Sequence, residues 1–136
     1  MELKNLSVQL KGISGQVLDE IPDRSKPLNI HVVHKVKIER VKGSKTYRYY
    51  LSTDVAPKPV TLFTCQVDQL IQVEFAQGLK DEKAEELAYD LCSQAANQLS
   101  FLIAMITREL IDTPIMIPPS LNRESFEVLS ERGYRD

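Results

Sequence analysis

The sequence predicts an α+β fold: a four-stranded antiparallel meander sheet, then one long helix and a short C-terminal helix packed on one face. Three observations predict it. Apolar residues alternate with polar ones in four successive stretches between about residues 3 and 75. The stretch from Asp81 to Thr113 has no Pro or Gly and carries apolar residues every three or four positions. Strands come first and helices after, which is not the βαβ alternation of nucleotide-binding sheets. At 136 residues, 43% hydrophobic and 26% charged, the chain suits a single domain, 1–136, with a modest core.

The first strand sets Leu6, Val8 and Leu10 against Ser7, Gln9 and Lys11, and Gly12 and Gly15 let the chain bend. Residues 19–27 hold the charges and prolines of a surface connection. In the next strand Leu28, Ile30, Val32, His34, Val36 and Ile38 share one face, and Asn29, His31, Val33, Lys35, Lys37 and Glu39 share the other. Lys42-Gly43-Ser44-Lys45 turns the chain. The returning strand places Tyr47, Tyr49, Leu51, Thr53 and Val55 opposite Thr46, Arg48, Tyr50, Ser52 and Asp54. Pro57 and Pro59 then break the ladder, because neither can donate a backbone hydrogen bond. A fourth strand, about Thr61 to Phe75, keeps Phe63, Cys65, Val67, Ile71, Val73 and Phe75 on one side. Four such strands with short connections describe a sheet that is wet on one face and covered by helix on the other.

Leu87, Leu91, Ala95, Leu99, Leu102, Ile106 and Leu110 form one stripe of a helix spanning about 81–112. Asp81, Glu82, Glu85 and Glu86 suit the positive end of its dipole, and Pro114 cannot continue it. At about 1.5 Å per residue, roughly thirty residues exceed the width of a compact domain of this size. LSFLIAMI, from Leu99 to Ile106, is apolar almost all round, so a second layer must cover it: the C-terminal segment, another subunit, or both. Eight residues are far fewer than the about twenty that cross a bilayer, so no membrane is implied. A connector, 113–121, follows with the rigid apolar run Pro114-Ile115-Met116-Ile117-Pro118-Pro119. Asn122 can cap a last short helix over about 122–131, with Phe126 and Leu129 on one face.

Little in the chain suggests catalysis. His31 and His34 lie three apart on a strand and point to opposite faces, so they do not share a metal ion. Cys65 and Cys92 read as reduced core thiols, which fits a cytoplasmic compartment, and no leader marks the chain for export or an organelle. Phosphate-binding glycine loops and a G-x-S-x-G elbow are absent. The expectation is a protein that is not an enzyme and needs no cofactor or metal. The net charge of −2 is unevenly spread, with a basic first half and an acidic second half. On the outer sheet face, Lys35, Lys37, Arg48 and Tyr50 offer a basic surface with an aromatic, but Glu39, Asp54, Asp68 and Glu74 dilute it, so nucleic acid is not the expected partner. Phe101, Met105, Ile111, Ile115, Met116 and Ile117 hold more apolar surface than one small domain hides, and that surplus marks a binding or assembly surface.

The FTCQV pattern at Phe63 to Val67, the LSF…IT pattern at Leu99, Ser100, Phe101, Ile106 and Thr107, and Pro114 followed by the Ile115–Pro119 connector occur in an order that resembles the SecB family of export chaperones. The resemblance spans about Leu6 to Leu129. It implies a cytoplasmic holdase, assembled as a dimer or tetramer, that binds unfolded preproteins for export in an apolar groove without nucleotide or metal. Here Phe63, Phe101, Met105, Ile115, Met116 and Ile117 would line that groove. Relatives that hand clients to the SecA motor present an acidic outer sheet, whereas this one offers His31, Lys35, Lys37 and Arg48 for partner contact. That departure leaves coupling to the motor open. The alternative reading is a SecB-fold adaptor dedicated to one partner, such as a toxin–antitoxin pair, with no general chaperone activity.

Overall fold

A computed structural model describes residues 2–22 and 25–129. The fold is α+β, with one mixed sheet covered on one face by a helical rod. Strands β1 (Leu3–Val17), β2 (Asn29–Arg40), β3 (Thr46–Lys58) and β4 (Phe63–Phe75) come first. Helices α1 (Asp81–Glu86), α2 (Ala88–Cys92) and α3 (Ala96–Ile111) follow, and a short strand β5 (Phe126–Val128) comes last.

The strand order is β1-β4-β3-β2-β5. This corrects the simple meander. β2, β3 and β4 follow one another through tight connections, but the chain between β1 and β2 crosses so that β1 lies beside β4, the arrangement of a Greek key. β2, which a meander would hold in the interior, becomes nearly an edge. A second correction concerns the C-terminus. Where a helix over about 122–131 is expected, Arg123–Ser125 make one tight helical turn and β5 then pairs parallel with His34–Val36 of β2. Residues 130–131 of that expected helix lie outside the described residues, as does the tail 133–136. A third concerns Pro57, which does not end β3: it pairs with Ile30 of β2 on a stretch that β4 no longer reaches, so its missing N–H breaks no ladder.

The alternation read from the sequence sorts the sheet correctly. Val36, Ile38, Tyr47, Tyr49, Leu51, Val55, Phe63, Val67, Ile71, Val73 and Phe75 are buried under the helices. β1 changes face part-way. The register slips between Leu10 and Gly12, so Leu6 and Val8 pack inward before the slip and Ile13 after it, while Leu10 and Val17 stay exposed. Gly15 lies under the end of α3: a Cβ there would come 2.6 Å from Leu110 Cδ1 and 3.1 Å from Ile106 Cδ1, so those side-chain ends would have to shift.

The predicted long helix is a rod in three segments. It is interrupted at Leu87 and by a tight turn at Ser93–Ala95. Both interruptions fall beside helix carbonyls taken by side chains rising from the sheet. The Tyr49 hydroxyl donates to Ala84 O at 2.8 Å, and Gln69 Nε2 donates to Ala95 O at 3.2 Å and to Gln98 Oε1 at 2.8 Å. Asp112 ends α3 in the left-handed region, φ 59°, and Pro114 follows. No helix among the described residues is long and apolar enough to cross a membrane.

Candidate functional site

The connector runs back along α3 and α2, held by hydroxyls on one side of the rod. The Ile115 N–H donates to Thr107 Oγ1 at 2.7 Å, Ser100 Oγ donates to Ile117 O at 2.8 Å, and the Tyr89 hydroxyl donates to Leu121 O at 2.9 Å. Positions 89, 100 and 107 recur near multiples of 3.6, so the three hydroxyls share one side of the helical rod. The extended connector alternates accordingly: Ile115 and Ile117 are half-buried, Leu121 is buried, and Met116 is 73% exposed.

Beyond the connector the chain is clamped to β2. The backbone N–H of Asn122 donates to Nε2 of His34 at 3.1 Å, while His34 Nδ1 lies 2.9 Å from Thr53 Oγ1. Nε2 must be the bare nitrogen, so Nδ1 carries the proton and donates to Thr53. His34 is 1% exposed, and burial lowers its pKa to about 4, which keeps the ring neutral. Tyr89 holds the same corner. Its ring meets Phe126 edge-on at 5.4 Å, and the Arg123 guanidinium sits 3.8 Å from its centroid.

Between the connector and the first half of β2 lies a cleft of about 780 Å³. Ile30 and Val32 lie on its β2 side, Ile115, Met116, Ile117 and Pro118 on its connector side, and Asn122 to Ser125 at its end. Its polar groups, His31, Arg123 and Glu124 among them, leave most of the lining apolar. A cleft with extended backbone on both sides and apolar walls suits an extended chain better than a compact ligand.

The six residues predicted to line a groove divide into three sets. Ile115, Met116 and Ile117 lie together in the cleft. Phe101 and Met105 are 68% and 43% exposed on α3, which contributes no residue to the cleft. Phe63 is fully buried in the core and offers no surface to a ligand, because it stands on the inner face of β4 under the helices. On the outer face, His31, Lys35 and Lys37 line up along β2, while Arg48 on β3 is tied to Glu39 at 3.3 Å and to Gln72 at 3.2 Å. Ile30, Val32 and the 122–125 corner were not anticipated. The length of the link between β1 and β2 was the available signal, since residues 18–28 are too many for a hairpin.

Neither histidine has a metal-ligating neighbour set, and no cluster of His, Cys, Asp or Glu able to hold a metal occurs among the described residues. Burial pushes the Cys65 thiol up to about 11 and the Cys92 thiol up to about 12, so both stay protonated near neutral pH.

No protein-family model matches the sequence, and no curated protein matches it in sequence. Comparison with solved structures decides the fold. The SecB-like chaperone Rv1957 of Mycobacterium tuberculosis, in complex with a ChAD peptide from the HigA1 antitoxin Rv1956, superposes with a TM-score of 0.69. The match covers 86% of this chain and 88% of that one, at 10% sequence identity. The fold is SecB-like. A protein of unknown function from Streptococcus agalactiae matches with a TM-score of 0.46 at 11% identity, over 87% of this chain and 99% of that one. In the SecB-like frame, the connector is the segment that walls the cleft, and the rod beneath it is the surface to which the connector is fastened.

Proposed function

We propose that this chain is a SecB-like holdase, one domain that keeps unfolded or extended polypeptide in the cleft between β2 and the connector. The observation that carries it is the cleft itself, with Met116 standing 73% exposed beside Ile115, Ile117 and Ile30. Apolar client side chains buried there would contribute about 25 cal/mol per Å², with little dependence on sequence. No nucleotide or metal enters this scheme. The chain works in the cytoplasm, where its two thiols stay reduced.

The holdase acts as a homodimer or tetramer. β1 is an edge strand of fifteen residues, Leu3 and Leu10 on it are 42% and 37% exposed, and Phe101 and Met105 present a second apolar surface on α3. These two surfaces serve assembly, and the cleft serves the client. Lys35 and Lys37 on the outer sheet offer a basic contact, which suits a dedicated acidic partner.

A second reading is an adaptor for one partner. It is favoured by the comparison structure, in which a SecB-like chaperone holds a peptide from an antitoxin. Suppression of aggregation separates the two. With several unrelated unfolded proteins at stoichiometric chaperone, protection of all supports the general holdase. Protection of none, with tight binding of a single peptide, supports the adaptor.

A further inference from the structure

At the opposite end of β2 from the cleft lies a second cavity, of about 610 Å³. Lys4 of β1, Arg40 at the end of β2, Gly43, Ser44 and Lys45 of the β2–β3 turn, and Glu74 at the end of β4 line it, over a floor of Phe75 and Ala76. Arg40 is seven residues beyond Val33, the last β2 residue of the cleft, so about 23 Å of strand separates the two places. Local features bring the cations here. The β1–β4 register slips between Leu3 and Asn5, which makes Lys4 the extra residue of a bulge, a device that re-aims a side chain. Its ammonium lies 3.8 Å from Glu74, but the two side chains are 70% and 40% exposed, and such a pair is worth little in water. Lys45 Nζ donates to the Ala76 carbonyl at 3.3 Å. Arg40 makes no ion pair with a described residue. Asp81, which flanks the Tyr47 hydroxyl as Arg40 does, accepts that hydroxyl at 2.9 Å. In the turn, Gly43 adopts a φ of 76°, and the N–H groups of Gly43 and Lys45 have no acceptor among the described residues.

We propose that this cavity binds a phosphoryl dianion, carried by free phosphate or by a small phosphate monoester. Lys4, Arg40 and Lys45 against Glu74 leave two positive charges over, the complement of a dianion. The planar Arg40 fork pairs two oxygens at once, and the lysines supply point charges from β1 and from the turn. The unused turn amides add donors of the kind that cradle phosphate. A carboxylate, with one charge and two oxygens, would leave part of this set idle. Turning the two lysines toward a ligand costs little, because their present contacts are exposed to water. The volume exceeds that of phosphate alone and falls in the range of small-molecule sites, so the rest of an ester has room above Phe75 and Ala76. A bound dianion ties the start of β1, the β2–β3 turn and the end of β4 together, just before the chain leaves the sheet for α1. This site is independent of the cleft, and its failure leaves the reading of the cleft untouched.

The test follows amide chemical shifts of the full chain by NMR above about pH 7, where a phosphate monoester is a dianion. Inorganic phosphate, adenosine monophosphate, acetate and chloride are added separately at matched ionic strength. Phosphate should shift Gly43, Ser44 and Lys45 along a saturable curve, and acetate and chloride should not. Tighter binding of adenosine monophosphate than of phosphate makes the natural ligand an ester, and weaker binding makes it free phosphate; either result supports the site. Arg40→Gln should weaken phosphate about tenfold, the loss of one charge-assisted contact. Glu74→Gln should tighten it severalfold, a gain that a damaged fold would not produce. Lys37→Gln, on the outer sheet face, should change nothing. Chloride shifting the turn as strongly as phosphate would mean an adventitious ion only, and the proposal would fall. A saturable phosphate site indifferent to both Arg40→Gln and Glu74→Gln would lie elsewhere, which overturns it equally.

Discussion

The backbone N–H of Asn122 reaches Nε2 of His34 across 3.1 Å and fastens the end of the connector to the middle of β2. A neutral imidazole is required, since a protonated Nε2 would oppose that N–H with a second donor. The bond adds to the contacts of Tyr89, Arg123 and Phe126 that hold the same C-terminal corner.

Stability should therefore fall in mild acid. The folded pKa of His34 is lowered from 6.5 to about 4, so between those values the unfolded chain binds the proton that the folded chain refuses. Above about pH 6.5 the contribution is flat. Below it, stability drops by roughly 1.4 kcal/mol per pH unit until about pH 4. Urea midpoints at pH 7 and pH 5 measure this, with His34→Gln as the reference that lacks the titration. Equal losses for the two proteins would show that another group is responsible.

Met116 and the α3 pair should separate by function. Met116→Asp places a charge in the cleft, and is expected to weaken binding of an unfolded client while leaving molar mass by light scattering unchanged. Phe101→Asp with Met105→Asp is expected to lower the molar mass. A double variant that keeps its mass yet loses client would return Phe101 and Met105 to the binding surface.

Thr107→Val keeps the shape and removes the hydroxyl that accepts the Ile115 N–H and donates to Ile103 O at 2.7 Å. Thr107 is fully buried, so the orphaned N–H should cost about 1–3 kcal/mol. Faster amide exchange at Ile115, with the sheet unaffected, is the expected signature. Unchanged exchange there would mean that the connector is held by its apolar contacts alone.

At Gly15 a side chain would displace the ends of Leu110 and Ile106. Gly15→Val should destabilise by about 1–3 kcal/mol, since it drives into Leu110 and Ile106. Gly12→Ala, whose new Cβ would meet nothing closer than Asp68 Oδ2 at 3.8 Å, should be nearly silent. Similar urea midpoints for both variants would contradict the close approach of α3 to β1.

Much of the sheet was legible because alternation within a strand is a local property. Tyr47, Tyr49 and Leu51 were assigned inward from their spacing alone, and they are buried. The breaks in the rod were not legible. They depend on Tyr49 and Gln69, which meet helix carbonyls 35 and 26 residues further along the chain. Phe63 is a different case: its spacing placed it on the inner face, under the helix cover expected there, and its assignment to the groove came from the family resemblance and not from that spacing.

The sequence by itself determined which residues face inward along each strand, where the helical rod lies and that the connector is extended, because prolines and short-range periodicity act within a few residues of themselves. Only the tertiary structure decided that β1 lies beside β4, that β2 is left as an edge, and that this edge meets Ile115–Ile117 to form a cleft. Those outcomes arise from contacts between segments far apart in the chain, and no pattern within either segment encodes which neighbour it will find.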